Sequence, residues 1–74
     1  MVKLDHIRNK LIEAINQSGM TQTEIAKRIG VIQQTIAAYL HQNKMPALDT
    51  FANLCAVLDL DANEILCVDE YGTE

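Results

Sequence analysis

Apolar residues recur along this chain at intervals of three and four, the spacing that one face of an α-helix requires. The first such series consists of Leu4, Ile7, Leu11 and Ile15. It stops at Ser18-Gly19, where glycine suits the left-handed residue that ends many helices. Further helical patterns are expected to begin near Thr21, Gln33, Leu48 and Asp61. The pattern therefore predicts an all-α fold of five short helices.

The second pattern carries clear signals at both of its ends. Thr21 and Glu24 have the spacing of a capping box, in which each side chain bonds a backbone amide of the other. Ile25, Ala26 and Ile29 then share one face, and Gly30 is placed to end the helix. We expect a helix of only two turns, from about Gln22 to Arg28.

The third pattern predicts a helix from about Gln33 to His41. Its inward residues are Ile36, Tyr39 and Leu40, and its outward residues are Gln33, Gln34, Ala37, Ala38 and His41. Two short helices joined by a three-residue turn must cross steeply, so the inward residue of the first has to be small. Ala26 meets that requirement. The stretch from Thr21 to Tyr39 is therefore interpreted as a helix-turn-helix.

The last two helices are predicted downstream of Pro46. The fourth begins at about Leu48 and is expected to turn Leu48, Phe51, Leu54, Cys55 and Leu58 toward the core. Asp59 is expected to end this helix in the left-handed backbone conformation, because aspartate tolerates that conformation better than most residues. Asp61 and Glu64 form a second capping box for a helix that ends at about Leu66. Val68 to Glu74 are expected to fray.

Length and composition favour one small domain over residues 1–74, with its core at about 3–66 and a tail at 67–74. Hydrophobic residues make up 49% of the chain and aromatic residues 4%, which suits packed short helices. No apolar run approaches the roughly 20 residues of a membrane span, and the Met-Val-Lys start does not resemble a signal peptide. We therefore expect a cytoplasmic protein that does not associate with membranes.

The sequence offers no sign of an enzyme, a metal site or a cofactor. Cys55 and Cys67 are twelve residues apart, without a CxxC motif or a nearby histidine pair, so they are interpreted as reduced thiols near the core. His6 and His41 have no catalytic partner in sequence. Neither a glycine-rich phosphate loop nor a carboxylate pair on a predicted cleft is present.

The segment TQTEIAKRIGVIQQTIAAY resembles the helix-turn-helix of the phage repressor/Cro family. The downstream segment HQNKMPALDTFANLCAVLDLDANEIL is similar to the loop and the last two helices of that family, so the resemblance covers roughly residues 3–66. It implies five helices in an orthogonal, lambda-repressor-like bundle. It also implies a sequence-specific DNA-binding transcriptional regulator, typically a homodimer on double-stranded DNA.

The resemblance assigns two classes of DNA contact. Base contacts would come from the helix that begins at Gln33, through Gln33, Gln34, Ala37 and Ala38. The glutamine amide offers one donor and one acceptor, which match the edge of adenine in the major groove. Contacts to the DNA backbone would come from Gln22, Thr23, Thr35, Asn43 and Lys44.

Three departures from the family pattern keep a second function open. The net charge is −4, although all six basic residues lie at or before Lys44. Ile32 stands where the family usually has a capping Ser or Thr, and the loop after the third helix lacks the family's glycine and most of its cations. The alternative is a protein-interaction module, antitoxin-like or a partner of another regulator, that uses Ile32, Ala37, Ala38 and the apolar C-terminal residues.

Two further expectations concern apolar contacts. The family often pairs an Arg at the position of Ile15 with a Glu at the position of Leu40, so we expect the two apolar side chains to pack together here. A buried ion pair can often be replaced in this way without loss of stability. A dimer interface is expected at Ile65, Leu66 and Val68, which exceed the needs of one small core.

Overall fold

A computed structural model describes residues 1–68, and within them the chain forms five α-helices and no strand. The helices are α1 (Leu4–Gln17), α2 (Gln22–Ile29), α3 (Gln33–His41), α4 (Leu48–Leu58) and α5 (Ala62–Ile65). Helix α2 packs against α3 and α4, and α1 packs against α5. The predicted all-α fold and the order of its five helices are confirmed.

Both predicted ends of α2 are present. The Thr21 hydroxyl oxygen accepts a hydrogen bond from the Glu24 amide at 3.1 Å, so the helix begins at its expected cap. Gly30 is left-handed with φ of 81°, and the Ala26 carbonyl accepts hydrogen bonds from the amides of both Gly30 and Val31. These two hydrogen bonds to one carbonyl end the helix and fix the direction in which the chain enters the turn before α3.

One hydrophobic core joins the helices. Its buried residues are Leu11, Ile15, Ile25, Ala26, Ile36, Tyr39, Phe51, Leu54, Cys55 and Ile65. Ala26 lies in this core on α2, the helix that packs against α3, as expected for a close crossing of two helices. Ile15 is buried and Leu40 packs against the same cluster, but direct contact between them stays a prediction.

Two leucines that the periodicity placed on the core face are exposed instead. Leu4 is 63% exposed and Leu48 is 84% exposed. Each is the first residue of its helix, α1 and α4 respectively. The apolar face of a helix can continue past the end of the core, and there its side chain has no neighbouring element to cover it. Periodicity alone does not reveal where that end lies.

The loops use left-handed residues other than glycine. Asp59 has φ of 54° and ends α4, as predicted. In the loop after α3, Asn43 takes this conformation with φ of 58°, which asparagine tolerates better than most residues.

Helix α5 is shorter than predicted. It ends at Ile65 instead of Leu66, and its Asp61 cap accepts a hydrogen bond from the Asn63 amide. The fraying expected for Val68 to Glu74 falls almost wholly on residues 69–74, which lie outside the described residues.

Candidate nucleic-acid interface

Helix α3 has an inner face fixed by the core and an outer face of polar and small residues. Ile36 and Tyr39 are buried and Leu40 is half-buried, which sets the rotation of the helix about its axis. On the outer face Gln34 and His41 are exposed, whereas Gln33, Ala37 and Ala38 are half-buried. The four residues assigned to base contacts therefore all retain accessible surface on α3.

A hydrogen bond joins the first residues of α2 and α3. The Gln33 side-chain nitrogen donates to the side-chain oxygen of Gln22 at 2.5 Å. This contact holds Gln33 in one orientation and leaves its carbonyl oxygen and its second N–H available, because a glutamine amide carries two donors and one acceptor. Gln34 is not part of this pair, and its side chain is exposed. The sequence pattern predicted no contact between these two side chains, although each glutamine is the first residue of one of two helices that were expected to cross steeply.

Four of the five residues assigned to DNA backbone contacts flank α3 along the chain. Gln22 and Thr23 open α2, where a helix N-terminus leaves amide groups free to bind an anion. Thr35 lies in the first turn of α3 and is half-buried. Asn43 and Lys44 are exposed just after α3, and the Lys44 amide donates to the Ala38 carbonyl at 3.4 Å. This bond ties the loop to the outer face of the helix.

Ile32 stands at the N-cap of α3, with no side-chain hydrogen bond to the helix, and is 67% exposed. Beside it lies an open cleft of about 360 Å³. The cleft is lined by Ile32, Gln34, Thr35, Ala38, Tyr39, Lys44 and Met45. The outer face of α3 thus carries glutamine amides beside a cleft whose lining includes Lys44 and several apolar side chains. The sequence pattern did not predict this combination.

Negative charge collects on a different part of the molecule. A groove of about 370 Å³ is lined by residues of α1, of the turn after α4 and of α5, including Glu13, Asp59, Asp61 and Glu64. None of its lining residues belongs to α2, to α3 or to the loop that follows α3. Four of the ten acidic residues therefore lie in this groove, whereas Asp49 is close enough to Tyr39 of α3 to raise its pKa.

Lys27 and Arg28, the basic residues of α2, are not expected to add much to the candidate DNA-binding surface. Arg28 and Glu24 approach to 3.6 Å at the surface, where an exposed ion pair of this kind contributes little. Lys27 and Arg28 both lie in the last turn of α2, at the opposite end from Gln22. Among the residues assigned to backbone contacts, Lys44 carries the cationic side chain.

Burial raises the pKa of two titratable side chains in the core. Burial, and to a lesser extent Asp61, raises the pKa of the Cys55 thiol. Burial and then Asp49 raise the pKa of Tyr39 in the same way. Cys55 and Cys67 are buried free thiols, as the sequence predicted. Within residues 1–68 no group of histidine, cysteine or acidic side chains is arranged to hold a metal ion, and no helix is long and apolar enough to cross a membrane.

The three residues assigned to a dimer interface differ in how much surface they offer. Ile65 is buried in the core of the monomer and has little area left for a partner. Leu66 is half-buried and Val68 is exposed. Any interface at this end of the chain must therefore rest mainly on Leu66 and Val68.

Comparison with known proteins agrees with this architecture. A sequence model described as helix-turn-helix matches residues 11–65, which includes α2, α3 and the turn between them. No curated protein and no solved structure matches the chain. The matched family is one of DNA-binding domains and not of enzymes. The chain therefore belongs to the helix-turn-helix family of the phage repressor/Cro type.

Proposed function

We propose that this protein is a sequence-specific transcriptional regulator that inserts α3 into the major groove of DNA. The observation that carries the proposal is the arrangement at the start of α3. Gln34 is exposed, Gln33 is held by Gln22, and Ile36 anchors the opposite side of the helix in the core. A helix fits the major groove, where every base pair presents a distinct pattern of donors and acceptors.

The two glutamines are expected to read bases in different ways. Gln34 has both groups of its amide available and can bond the N6 and N7 atoms of adenine together. Gln33 has given one donor to Gln22, so its carbonyl oxygen and remaining N–H are left to contact a base. Ala37 and Ala38 lie farther along the same face, where small side chains permit close approach to the bases.

Contacts to the DNA backbone would come from both ends of this surface. Gln22 and Thr23 would meet phosphates at the N-terminus of α2, and Asn43 and Lys44 would meet them after α3. Thr35 lies between these groups. Because few of these residues carry positive charge, we expect the affinity to fall less steeply with salt than it does for strongly basic DNA-binding domains.

Replacing the glutamines and the lysine should give two different kinds of defect. Gln33→Ala or Gln34→Ala should cost about 1–3 kcal/mol on the preferred site and relax the preference at one base pair per half-site. Lys44→Ala should weaken binding to all sequences alike and lower the salt slope by about one unit per subunit. Both can be measured by titrating labelled DNA at several salt concentrations.

Matched controls lie close to these positions. Gln42→Ala removes an exposed glutamine just after α3, and Lys27→Ala removes an exposed lysine from the last turn of α2. Neither change should alter base preference. If protein with both Gln33 and Gln34 replaced by alanine selects the same DNA sequences as the parent, α3 is not the recognition helix.

We also propose that the protein acts as a homodimer through Leu66 and Val68. Two α3 helices about 34 Å apart would reach successive major grooves, so the half-sites should be centred about one helical turn apart. Sedimentation of the free and DNA-bound protein tests this directly. A monomer in both states would contradict the proposed homodimer. A dimer that Leu66→Ser weakens would support it.

The rival function is a protein-interaction module without DNA affinity. The exposed Ile32 and the net charge of −4 favour it. Selection of bound sequences from random DNA at low salt separates the two functions. Enrichment of a defined site supports the function of a DNA-binding regulator. If folded protein enriches no site, that function is contradicted.

A further inference from the structure

The loop after α3 changes direction at one residue. Gln42 ends the helix with an ordinary negative φ of −123°, whereas Asn43 has a φ of 58°. The amides of Gln42 and Lys44, which flank Asn43 in the chain, both donate to the Ala38 carbonyl, at 2.9 and 3.4 Å. Two amides that close on one carbonyl at the end of a helix usually require a left-handed residue. The turn therefore depends on the backbone conformation of Asn43.

The side chain of Asn43 does not explain this conformation. It is exposed, and it makes no hydrogen bond to any of residues 1–68. Asparagine enters the left-handed region more readily than most residues other than glycine. At the end of α2 a comparable turn is made by Gly30, with a φ of 81°. What the fold requires at position 43 is thus a residue that tolerates a positive φ.

This turn determines where Lys44 lies. Because the Lys44 amide is bonded to the Ala38 carbonyl, the chain returns along α3, and Lys44 lines the same cleft as Gln34 and Thr35. Lys44 also carries the cationic side chain among the residues proposed to contact the DNA backbone. The turn at Asn43 therefore places this cation beside a residue that is proposed to contact a base.

We propose that Asn43 is a positioning residue, whose left-handed backbone holds Lys44 where it can bind a phosphate. The side-chain amide of Asn43 is not needed for DNA binding. This changes the role that the family resemblance implied for Asn43, which was a direct contact to the DNA backbone. The inference rests on the proposed function, because Lys44 must meet a phosphate. A lysine is a point charge on a flexible stem, so the placement of its backbone limits which phosphate it can reach.

Two substitutions at position 43 separate backbone conformation from side-chain contact. Asn43→Gly and Asn43→Ala both remove the amide, but glycine adopts a positive φ without steric cost and alanine does not. Asn43→Ala should weaken binding to the preferred DNA site about 5-fold, the lower end of the usual cost of a left-handed residue. Asn43→Gly is the conservative variant for this role, and its affinity should stay close to that of the parent.

The matched control is Gln42→Ala. Gln42 is exposed like Asn43 and directly precedes it, but its negative φ is accessible to alanine. This variant should keep the affinity of the parent. Titration of labelled DNA at one salt concentration measures all three variants, and circular dichroism verifies that each of them is folded.

A double-mutant cycle shows whether Asn43 acts through Lys44. In protein that already carries Lys44→Ala, no cation remains to be positioned. Adding Asn43→Ala should then cause no further loss of affinity, so the two effects should not add. A general loosening of the fold would instead weaken binding equally with and without Lys44.

Three results would overturn the inference while leaving the proposed function intact. Equal losses for Asn43→Gly and Asn43→Ala would mean that the amide itself contacts DNA. An Asn43→Ala variant that binds as tightly as the parent would show that the turn does not affect binding. Losses that add in the cycle would show that Asn43 does not act through Lys44. Folded parent protein that binds no DNA would instead reject the proposed function, and this inference with it.

Discussion

Leu40→Glu is expected to lower the free energy of unfolding by about 3 kcal/mol or more, because it places a carboxylate without a partner against the core. Leu40 packs against the cluster that contains the buried Ile15. In a domain whose total stability is on the order of 5 kcal/mol, a loss of about 3 kcal/mol leaves about 2 kcal/mol, so roughly 3% of the molecules would be unfolded. Urea denaturation followed by circular dichroism measures the change.

The double variant decides whether Leu40 and Ile15 are partners. Ile15→Arg alone should be at least as damaging, because Ile15 is almost fully buried. If the two side chains meet, combining Ile15→Arg with Leu40→Glu should restore part of the lost stability, since each charge then has a partner. Losses that simply add in the double variant would show that the two positions do not interact.

Leu54→Ala is expected to lower the free energy of unfolding by about 2–5 kcal/mol, the usual effect of truncating a fully buried leucine. Leu54 is 0% exposed on α4, so its removal leaves a cavity. Because α4 packs against α2, a cavity there should also loosen the support of the helix-turn-helix and weaken DNA binding.

The matched control lies on the same helix. Leu48→Ala makes the same chemical change at a side chain that is 84% exposed, and it should alter stability by no more than about 0.5 kcal/mol. The two variants differ in how deeply the leucine is buried, while the residue type and the helix are the same. The difference between their losses of stability therefore measures the effect of burial. Equal losses in the two variants would mean that Leu48 is covered in solution, by a second copy of the chain or by another partner.

Local signals determined the helix-turn-helix. The N-cap at Thr21 and the left-handed Gly30 act within one or two turns of the chain, so they can be identified without knowledge of the fold. The small Ala26 and the inward Ile36 follow from helical spacing. The outer face of α3, and with it the glutamines assigned to base contacts, follows from the same spacing.

Tertiary structure decided which apolar residues are buried, because the spacing of residues within one helix does not show which neighbouring elements cover it. Leu4, Leu48 and Leu54 all follow a helical apolar pattern, yet only Leu54 is buried, because burial depends on which neighbouring elements reach that turn of the helix. Ile65 was expected at an interface, whereas the fold places it in the monomer core.

The finer features of the candidate interface also came from the fold. The bond between Gln22 and Gln33 joins residues 11 apart in the chain, and the crossing of α2 and α3 brings them together. The cleft beside Ile32 likewise requires the loop after α3 to return along the helix with Lys44 and Met45. The sequence by itself determined which helix presents polar groups. The packing of helices and loops determined how those groups are held and which apolar surface lies among them.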